Sequence, residues 1–558
     1  MDYIKKTAHF LNLCVIFKNY PYLCPFINIK KTYLMSKKLL TTVLVLATVF
    51  NMYAGGLLTN TNQNVTFLRN PARDASTEID AAYTNPAGLA FLKGDKKWYF
   101  SLNNQSAFQT RTINSTFGVP SMAPFAGFGD NAVKEFEGKA KALVIPNLQA
   151  AYKTKDWVFS ANIGIVGGGG TMDFSKGLPS FESQVAMIPL LLSSNGIPTN
   201  KYSLESQLKG TQIIYGIQLG ATYKFNENLS AYLGARASIV ESSYKGFIHD
   251  IQANVGGGNL VNVNQYFTAA AQQAQVTASS LQPIIDNGAG SYTLNQLVAA
   301  GQLTQAVVDQ MSSGLGLDAG NLTVVKAQDA FTQKATMATG VANQTADKDL
   351  DCKQSGFGVA PIIGFNYNWN SLNIGVKYEF KTGMSLKNKT ATNTTGVEDY
   401  NDGVKTPYDI PALLAVGAKY DIIQPLTVSV GYHHFFDSDA KMAHDKQQFI
   451  NGGVNEYLAG IEYRINKMFL ISCGTQFTRQ GVQDNYQSDM SFSLNSYSLG
   501  FGGAINVTEN VRINLAYFFT NYSNWTKDSD NYNNTSMPGT DIYGRTNKTF
   551  GIGVDFSF

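Results

Sequence analysis

Phe550-Gly551-Ile552-Gly553-Val554-Asp555-Phe556-Ser557-Phe558 ends the chain, and its alternation carries the reading of the fold. Successive side chains of a strand point to opposite faces, so Phe550, Ile552, Val554, Phe556 and Phe558 share one side while Gly551, Gly553, Asp555 and Ser557 share the other. One face suits hydrocarbon and the other suits water or close packing, which is the pattern of a transmembrane β-strand. It recurs in Leu229, Ala231, Leu233, Ala235 and Ala237 against Tyr232, Gly234 and Arg236, and in Val511, Ile513, Leu515, Tyr517 and Phe519 against Arg512 and Asn514.

Working back towards Lys96, about fourteen such segments can be laid out, an even number as single-chain bacterial barrels require. They begin near Trp98–Phe108, Ala140–Tyr152 and Asp156–Val166, include Leu372–Ser385, and end with Val511–Tyr522 and Thr546–Phe558. Short turns at Lys155-Asp156, Asn226-Glu227-Asn228, Asn370-Ser371, Ile423-Gln424-Pro425, Asn466-Lys467 and Thr508-Glu509-Asn510 alternate with longer connectors, the first running from about Gln109 to Lys139. Membrane barrels have short periplasmic turns and long outer loops. A soluble β-sandwich also alternates along each strand but has no reason to alternate its loop lengths. The expected fold is therefore all-β, a transmembrane antiparallel barrel over 96–558.

Composition agrees. Charged residues are 15% of the 558-residue chain and aromatics 12%, whereas soluble domains carry about 25% charge. A formal net charge of +3 leaves no nucleic-acid footprint. At the other end, Lys37 and Lys38 precede an apolar run from Leu39 to Phe50, with small residues allowing a cut after Ala54. This reads as a signal peptide over 35–54, too short to span a bilayer as a helix, and it makes 1–34 an expected upstream extension. Cys14 and Cys24 would leave with it; Cys352 and Cys473 are expected as free thiols.

The longest connector, 248–353, changes character. Tyr266 to Ala271 and Leu294, Leu297, Val298, Leu303, Val307, Val308 and Met311 are spaced by threes and fours, so several short amphipathic helices are expected on the outer face.

Between the signal and the first strand stands Ile79-Asp80-Ala81-Ala82-Tyr83-Thr84-Asn85-Pro86-Ala87-Gly88-Leu89-Ala90. With Asn70-Pro71-Ala72, with Tyr408-Asp409-Ile410-Pro411-Ala412 before a strand, and with the aromatic end of the chain, this resembles the long-chain fatty acid transporter family of outer-membrane proteins (FadL- and TodX-like). The resemblance implies a small N-terminal luminal hatch over 55–95 with Asn85, Pro86 and Ala87 as its motif, and a bacterial outer-membrane, multi-pass protein. It also implies delivery by the barrel-assembly machinery, and passive transport of hydrophobic small molecules that land on outer loops, enter the lumen and leave sideways past the hatch. Strand three reaches Gly164-Ile165-Val166-Gly167-Gly168-Gly169-Gly170, so Gly164, Gly167 and Gly168 are candidates for the kink that makes such an exit.

An amphiphile needs an apolar pocket and a few cationic groups. Parity turns Arg236, Lys377, Arg464 and Arg512 inward as candidates, with pairing to Glu379, Glu462 and other luminal acids as the alternative. His433 and His434 are neighbours on a strand and point to opposite faces, which argues against a metal site and favours a surface or rim role for them and for His444. The glycine run lacks the Lys-Ser/Thr of a phosphate loop. No cofactor and no local nucleophile–base constellation is expected, and hence no enzyme. The alternatives are a general porin, which would lack a hatch, and a surface-displayed adhesin barrel; a monomer with a hydrophobic ligand and outer-membrane lipid as partners is the expectation.

Overall fold

The computed structural model describes residues 64–117 and 133–558; the signal peptide, the upstream extension and the first residues of the expected hatch lie outside them. The described chain forms two units, a barrel unit and a smaller unit made of Pro189–Thr199 and Asn254–Thr345.

The barrel has fourteen staves. They are β1 (Trp98–Phe117), β2 (Val133–Lys153), β3 (Trp157–Phe174), β4 (Tyr202–Lys224), β5 (Leu229–Ala253), β6 (Lys348–Trp369) and β7 (Leu372–Glu379). The second half is β8 (Leu413–Ile423), β9 (Leu426–Phe435), β10 (Val454–Arg464), β11 (Phe469–Arg479), β12 (Ser496–Thr508), β13 (Val511–Tyr522) and β14 (Gly539–Ser557). Every neighbour is antiparallel, and β14 pairs with both β13 and β1, so the sheet closes. Closure leaves no stave without a neighbour on each side, as a sheet in hydrocarbon requires. Three shorter strands extend staves beyond this wall: Ser385–Asn393 along β6, Lys405–Pro407 along Ser385–Lys387, and Trp525–Ser529 along β14.

Several boundaries differ from the sequence reading: β7 stops at Glu379 rather than Ser385, and β14 begins at Gly539 rather than Thr546. The Gln109–Lys139 connector is mostly ladder, because Gln109–Thr116 pair with Val133–Ala140. Strand three continues through its glycines to Phe174. The 248–353 insertion loses its ends to β5 and β6, since Phe247 pairs with Asp349 and Ile248 with Lys348. The lengthened staves share a reason: beyond the bilayer the outer face no longer meets hydrocarbon, so the oily row fades although inward residues such as Ile113 and Phe136 stay buried and the backbone still gains its hydrogen bonds.

On the outside, Leu102, Phe159, Leu219, Leu233, Phe365, Val430, Phe501 and Ile552 are all exposed. Near the short turns the exposed residues become aromatic, with Trp98 stacked on Phe100 at 5.9 Å and Phe100 on Phe556 at 5.4 Å. An apolar belt bordered by an aromatic girdle is the exterior of an outer-membrane barrel, and no described helix is long and apolar enough to cross a membrane. Cys352 is buried and Cys473 exposed, and both are free.

The smaller unit is helical. Two of its helices are long rather than short, Val263–Ile284 and Val324–Gln344, and they are joined through Leu294–Ala299 and Gln305–Leu315. Ala274, Ala278, Leu281, Leu294, Leu297, Val308, Met311 and Phe331 form its core. Thr293 caps its helix by accepting from the Gln296 amide while the Gln296 side chain accepts from the Thr293 amide, which satisfies two amides that the helix itself leaves unpaired.

Candidate functional site

Residues from Asn64 onward cross the barrel interior before β1 begins. The first short helix, Val65–Arg69, starts at Asn64, whose side chain accepts from the Thr66 amide at 2.9 Å. A second turn, Ala81–Thr84, runs into a 3-10 helix at Pro86–Phe91. These pieces are too short to be stable alone. The wall holds them.

Much of that wall is glycine. Gly375, Gly417 and Gly431 lie opposite one another on β7, β8 and β9, and Gly460, Gly474 and Gly500 do so on β10, β11 and β12. A Cβ on Gly375 would overlap the carbonyl of Asp74, one on Gly431 the Asp74 carboxylate, one on Gly460 the Asn70 amide and one on Gly500 the carbonyl of Leu68. The absent side chains make a groove across six staves in which the segment Leu68–Asp74 lies flush against the wall. Elsewhere wall side chains donate to hatch carbonyls: Asn373 to Ala75 at 2.8 Å, Gln218 to Ala82 at 3.0 Å, Thr222 to Pro86 at 2.7 Å and Ser230 to Ala87 at 2.7 Å. Asn85 reaches outward too, donating to the Phe365 carbonyl at 3.0 Å. The Asn-Pro-Ala motif is thus bound to β4, β5 and β6 rather than closed only on itself.

Charge fixes the other side of the hatch. Arg69 pairs with Glu462 and donates to Ser472, Arg73 joins Asp80 at 2.6 Å and Glu78 at 2.7 Å, and Arg512 of β13 meets Glu78 at 2.8 Å. Burial disfavours the charge on Glu78, but the guanidinium groups of Arg512, Arg73 and Arg69 outweigh it and hold the carboxyl well below the usual range. Burial likewise opposes the Arg73 charge, and Asp80, Glu462 and Glu78 raise its pKa well above the ordinary value. Three cations and three carboxylates therefore neutralise one another.

The four cations nominated by parity separate into different surroundings. Arg236 is bound to Glu379 at 2.5 Å and Gln218 at 2.7 Å, and Lys377 donates to the Tyr83 carbonyl at 3.2 Å, both beneath the Tyr83 ring. Arg512 is spent on the hatch through Glu78. Arg464 is exposed on the rim of a polar cavity of about 400 Å³ at the short-turn end, shared with Arg73, Glu78, Lys419, Glu462 and Arg512. His433 corrects the surface or rim reading: its side chain, 12% exposed, points into the lumen between Asp74 at 2.8 Å and Glu456 at 2.9 Å. His444 is exposed and meets Asp399 at 2.6 Å. Among the described residues no group of three or more His, Cys, Asp or Glu could hold a metal.

The wall is weakest between β2 and β3. Their ladder joins Gly138–Ala140 to Met172–Phe174 and Asn147–Lys153 to Val158–Gly164, and no described pair links Lys141–Pro146 to the facing stretch of β3. Gly164, opposite Asn147, is the last pair before this gap. Bulges follow against β4 between Ile165 and Gly167 and between Gly168 and Gly170, with Gly168 at φ +69°. Such bulges bend a strand and leave a residue unpaired. Val166 of this bent stretch packs in an apolar cluster with Ile214, Val240, Met384, Leu386 and the hatch residue Tyr83, flanked by Tyr408 and Ile410. The gap, the hatch and an apolar part of the lumen are thereby neighbours.

No family model matches this sequence, and no curated relative does. Among solved structures, a Pseudomonas aeruginosa FadL homologue is similar over 90% of this chain and 100% of its own length, at 12% identity and a TM-score of 0.52. The Pseudomonas putida toluene transporter TodX is similar over 91% and 99%, at 14% identity and 0.45, and the monoaromatic hydrocarbon channel CymD over 89% and 99%, at 11% and 0.41. The first of these establishes the fold: the closed barrel with an N-terminal helical region is the architecture of the FadL homologue.

Proposed function

We propose that this chain is a passive outer-membrane conduit for hydrophobic small molecules, long-chain fatty acids being the first class to test. Ligand enters the lumen above the hatch, occupies the apolar cluster, and leaves sideways through the β2–β3 wall when the hatch shifts. The observation that carries this reading is the interrupted β2–β3 ladder beside Val166 and Tyr83. A polar solute has no use for an opening that faces lipid, whereas a molecule that partitions into hydrocarbon needs no other exit. The bonded hatch argues against an open porin. Assembly is by the barrel-assembly machinery, and closure within one chain allows it to work as a monomer.

The test is uptake of labelled oleate and labelled toluene by a deletion strain carrying this chain. Restored uptake of either one supports the proposal, as does a changed rate when 64–95 are removed. Restored flux of small sugars by the intact chain, with neither hydrophobic compound taken up, would replace it with a porin.

A further inference from the structure

The outward face of β6 changes character along its length. Val359 and Phe357 are exposed members of the apolar belt, and Ser355 and Lys353 follow on the same parity towards the long-loop end. At about 3.4 Å per residue on a tilted strand, Lys353 stands about 10 Å above Phe357, among head groups rather than acyl chains. The strand Ser385–Asn393 extends this face beside β6. Its Leu386 and Asn388 are buried on the inner side, which turns Lys387 and Lys389 outward, and both are exposed.

Register then brings like charges together. Lys353 lies directly opposite Lys389, and Lys387 lies directly opposite Lys405, which is exposed as well. Directly opposed residues have Cβ atoms about 5 Å apart, and Lys387 and Lys389 are about 7 Å apart along their own strand. A third like pair, Lys209 of β4 opposite Lys245 of β5, is relieved by Asp173 at 3.3 Å and Asp351 at 3.1 Å. Among the described residues no carboxylate lies within ion-pair distance of Lys353, Lys387, Lys389 or Lys405. The patch is bordered by Glu241, opposite Ser355, and by Asp402, which accepts from the Thr390 amide at 2.9 Å.

Like charges directly opposite on adjacent strands weaken a sheet. The packing beneath does not ask for them, because Leu386 and Asn388 fill the inner side. Nor does the rest of the wall repeat them: across β9 to β12 an outward row towards the same end runs Tyr432, Tyr457, Phe477 and Tyr497. The basic face is confined to one side of the cylinder.

We propose that Lys353, Lys387, Lys389 and Lys405 form a docking surface for an outer-leaflet lipid whose head group carries more than one phosphate. Its phosphates meet the four ammonium groups while its acyl chains run down over Phe357 and Val359. Repulsion between the lysines is then replaced by charge-assisted hydrogen bonds. Lysine suits this task, since three donors on a flexible stem follow a phosphate without fixed geometry. The surface lies outside the wall, goes beyond the conduit and does not depend on what the lumen carries.

The experiment is native mass spectrometry of the full purified chain in an uncharged detergent. It is titrated with a bis-phosphorylated hexa-acyl glucosamine disaccharide, with the same lipid after phosphatase treatment, and with inorganic pyrophosphate as competitor. A lysine beside an anionic lipid surface contributes about fivefold in affinity, so wild type should prefer the phosphorylated lipid by about tenfold or more. Pyrophosphate at equal concentration should not displace it. The variant K353Q/K387Q/K389Q/K405Q is expected to lose the preference and, with a repulsion gone, to keep the heat-modifiable gel mobility of a closed barrel. The variant K96Q/K97Q/K155Q/K467Q removes as much charge from exposed positions at the short-turn end, and it should keep the preference. Equal binding of the two lipids by wild type overturns the docking surface, and that comparison needs no variant. So does an unchanged preference in the first variant, an equal loss in the second, or displacement by pyrophosphate, which would mark a site for free anions.

Discussion

His433 on β9 joins the hatch to the wall: its Nε2 is 2.8 Å from Asp74 and its Nδ1 is 2.9 Å from Glu456 on β10. A carboxylate only accepts, so an imidazole that serves two of them must carry a proton on each nitrogen. The clamp is ionic on both sides. It is also local, since Asp74 lies over Gly417 and Gly431, where no side chain could take its place.

His433→Gln would leave Asp74 and Glu456 facing each other with no cation between them. Breaking a buried pair from one side costs about 3–5 kcal/mol, and here the loss falls on hatch docking rather than on the wall. Hydrogen exchange should therefore rise in 70–90 while the barrel staves keep their protection. Unchanged exchange in that segment would remove the clamp from the account.

Gly375→Ala and Gly500→Ala each place a methyl against a hatch carbonyl, of Asp74 and Leu68 respectively. Backbone cannot swing aside as a side chain can, and overpacking of this kind costs about 1–3 kcal/mol. Both variants should fold as barrels yet admit small hydrophilic antibiotics, measured as increased susceptibility. Gly210→Ala, which meets only the Tyr244 ring at an ordinary 3.6 Å, should behave as wild type.

Asp437, in the loop after β9, is pushed up to about 7 by burial, partly offset by its hydrogen bond from the Val454 amide. A carboxyl with a raised folded pKa supplies stability that is complete below its unfolded pKa of about 4 and is lost as pH rises through 7. Proteolysis of the loop at 437–453 should be slower at pH 5 than at pH 8, and Asp437→Asn should abolish the difference by protecting the loop at pH 8. The opposite pH trend would reject the assignment. Glu78 titrates the other way: its depressed pKa contributes stability that is complete above the unfolded value of about 4 and is lost as pH falls below it towards the folded pKa, so the hatch keeps this contribution throughout the loop's titration range.

Gly168→Ala asks a side chain to adopt φ +69° with its methyl inside the Gln212 carbonyl. A left-handed non-glycine residue costs about 1–2 kcal/mol before the clash is counted, so β3 must re-register and the bulge beside Val166 shifts. Oleate uptake should fall several-fold with the purified barrel still resisting unfolding in detergent. Full uptake would dissociate the bulge from passage.

The staves were legible because oil on one side imposes a period of two, as in Phe550–Phe558 and Leu229–Ala237. The upper reaches of β1 and β2 were not, since Thr110, Thr112 and Asn114 stand on the outer face where no oily row is needed, although Ile113, Phe117 and Phe136 are buried. Parity correctly turned Arg236, Lys377 and Arg512 inward, but an inward direction says nothing about which partner a side chain meets. Glu379, the Tyr83 carbonyl and Glu78 answer that, and they are distant in sequence. The glycines of β7 to β12 were visible one at a time, but their alignment depends on register, which no single strand contains.

That alignment has a consequence for assembly. A slip of two residues between β8 and β9 would keep every oily side chain facing the lipid, and the membrane could not detect it. It would, however, carry Gly417 away from Gly431 and put bulk under Asp74. The interior segment therefore acts as a template that proofreads the cylinder: only a correctly indexed wall has a continuous furrow to receive it.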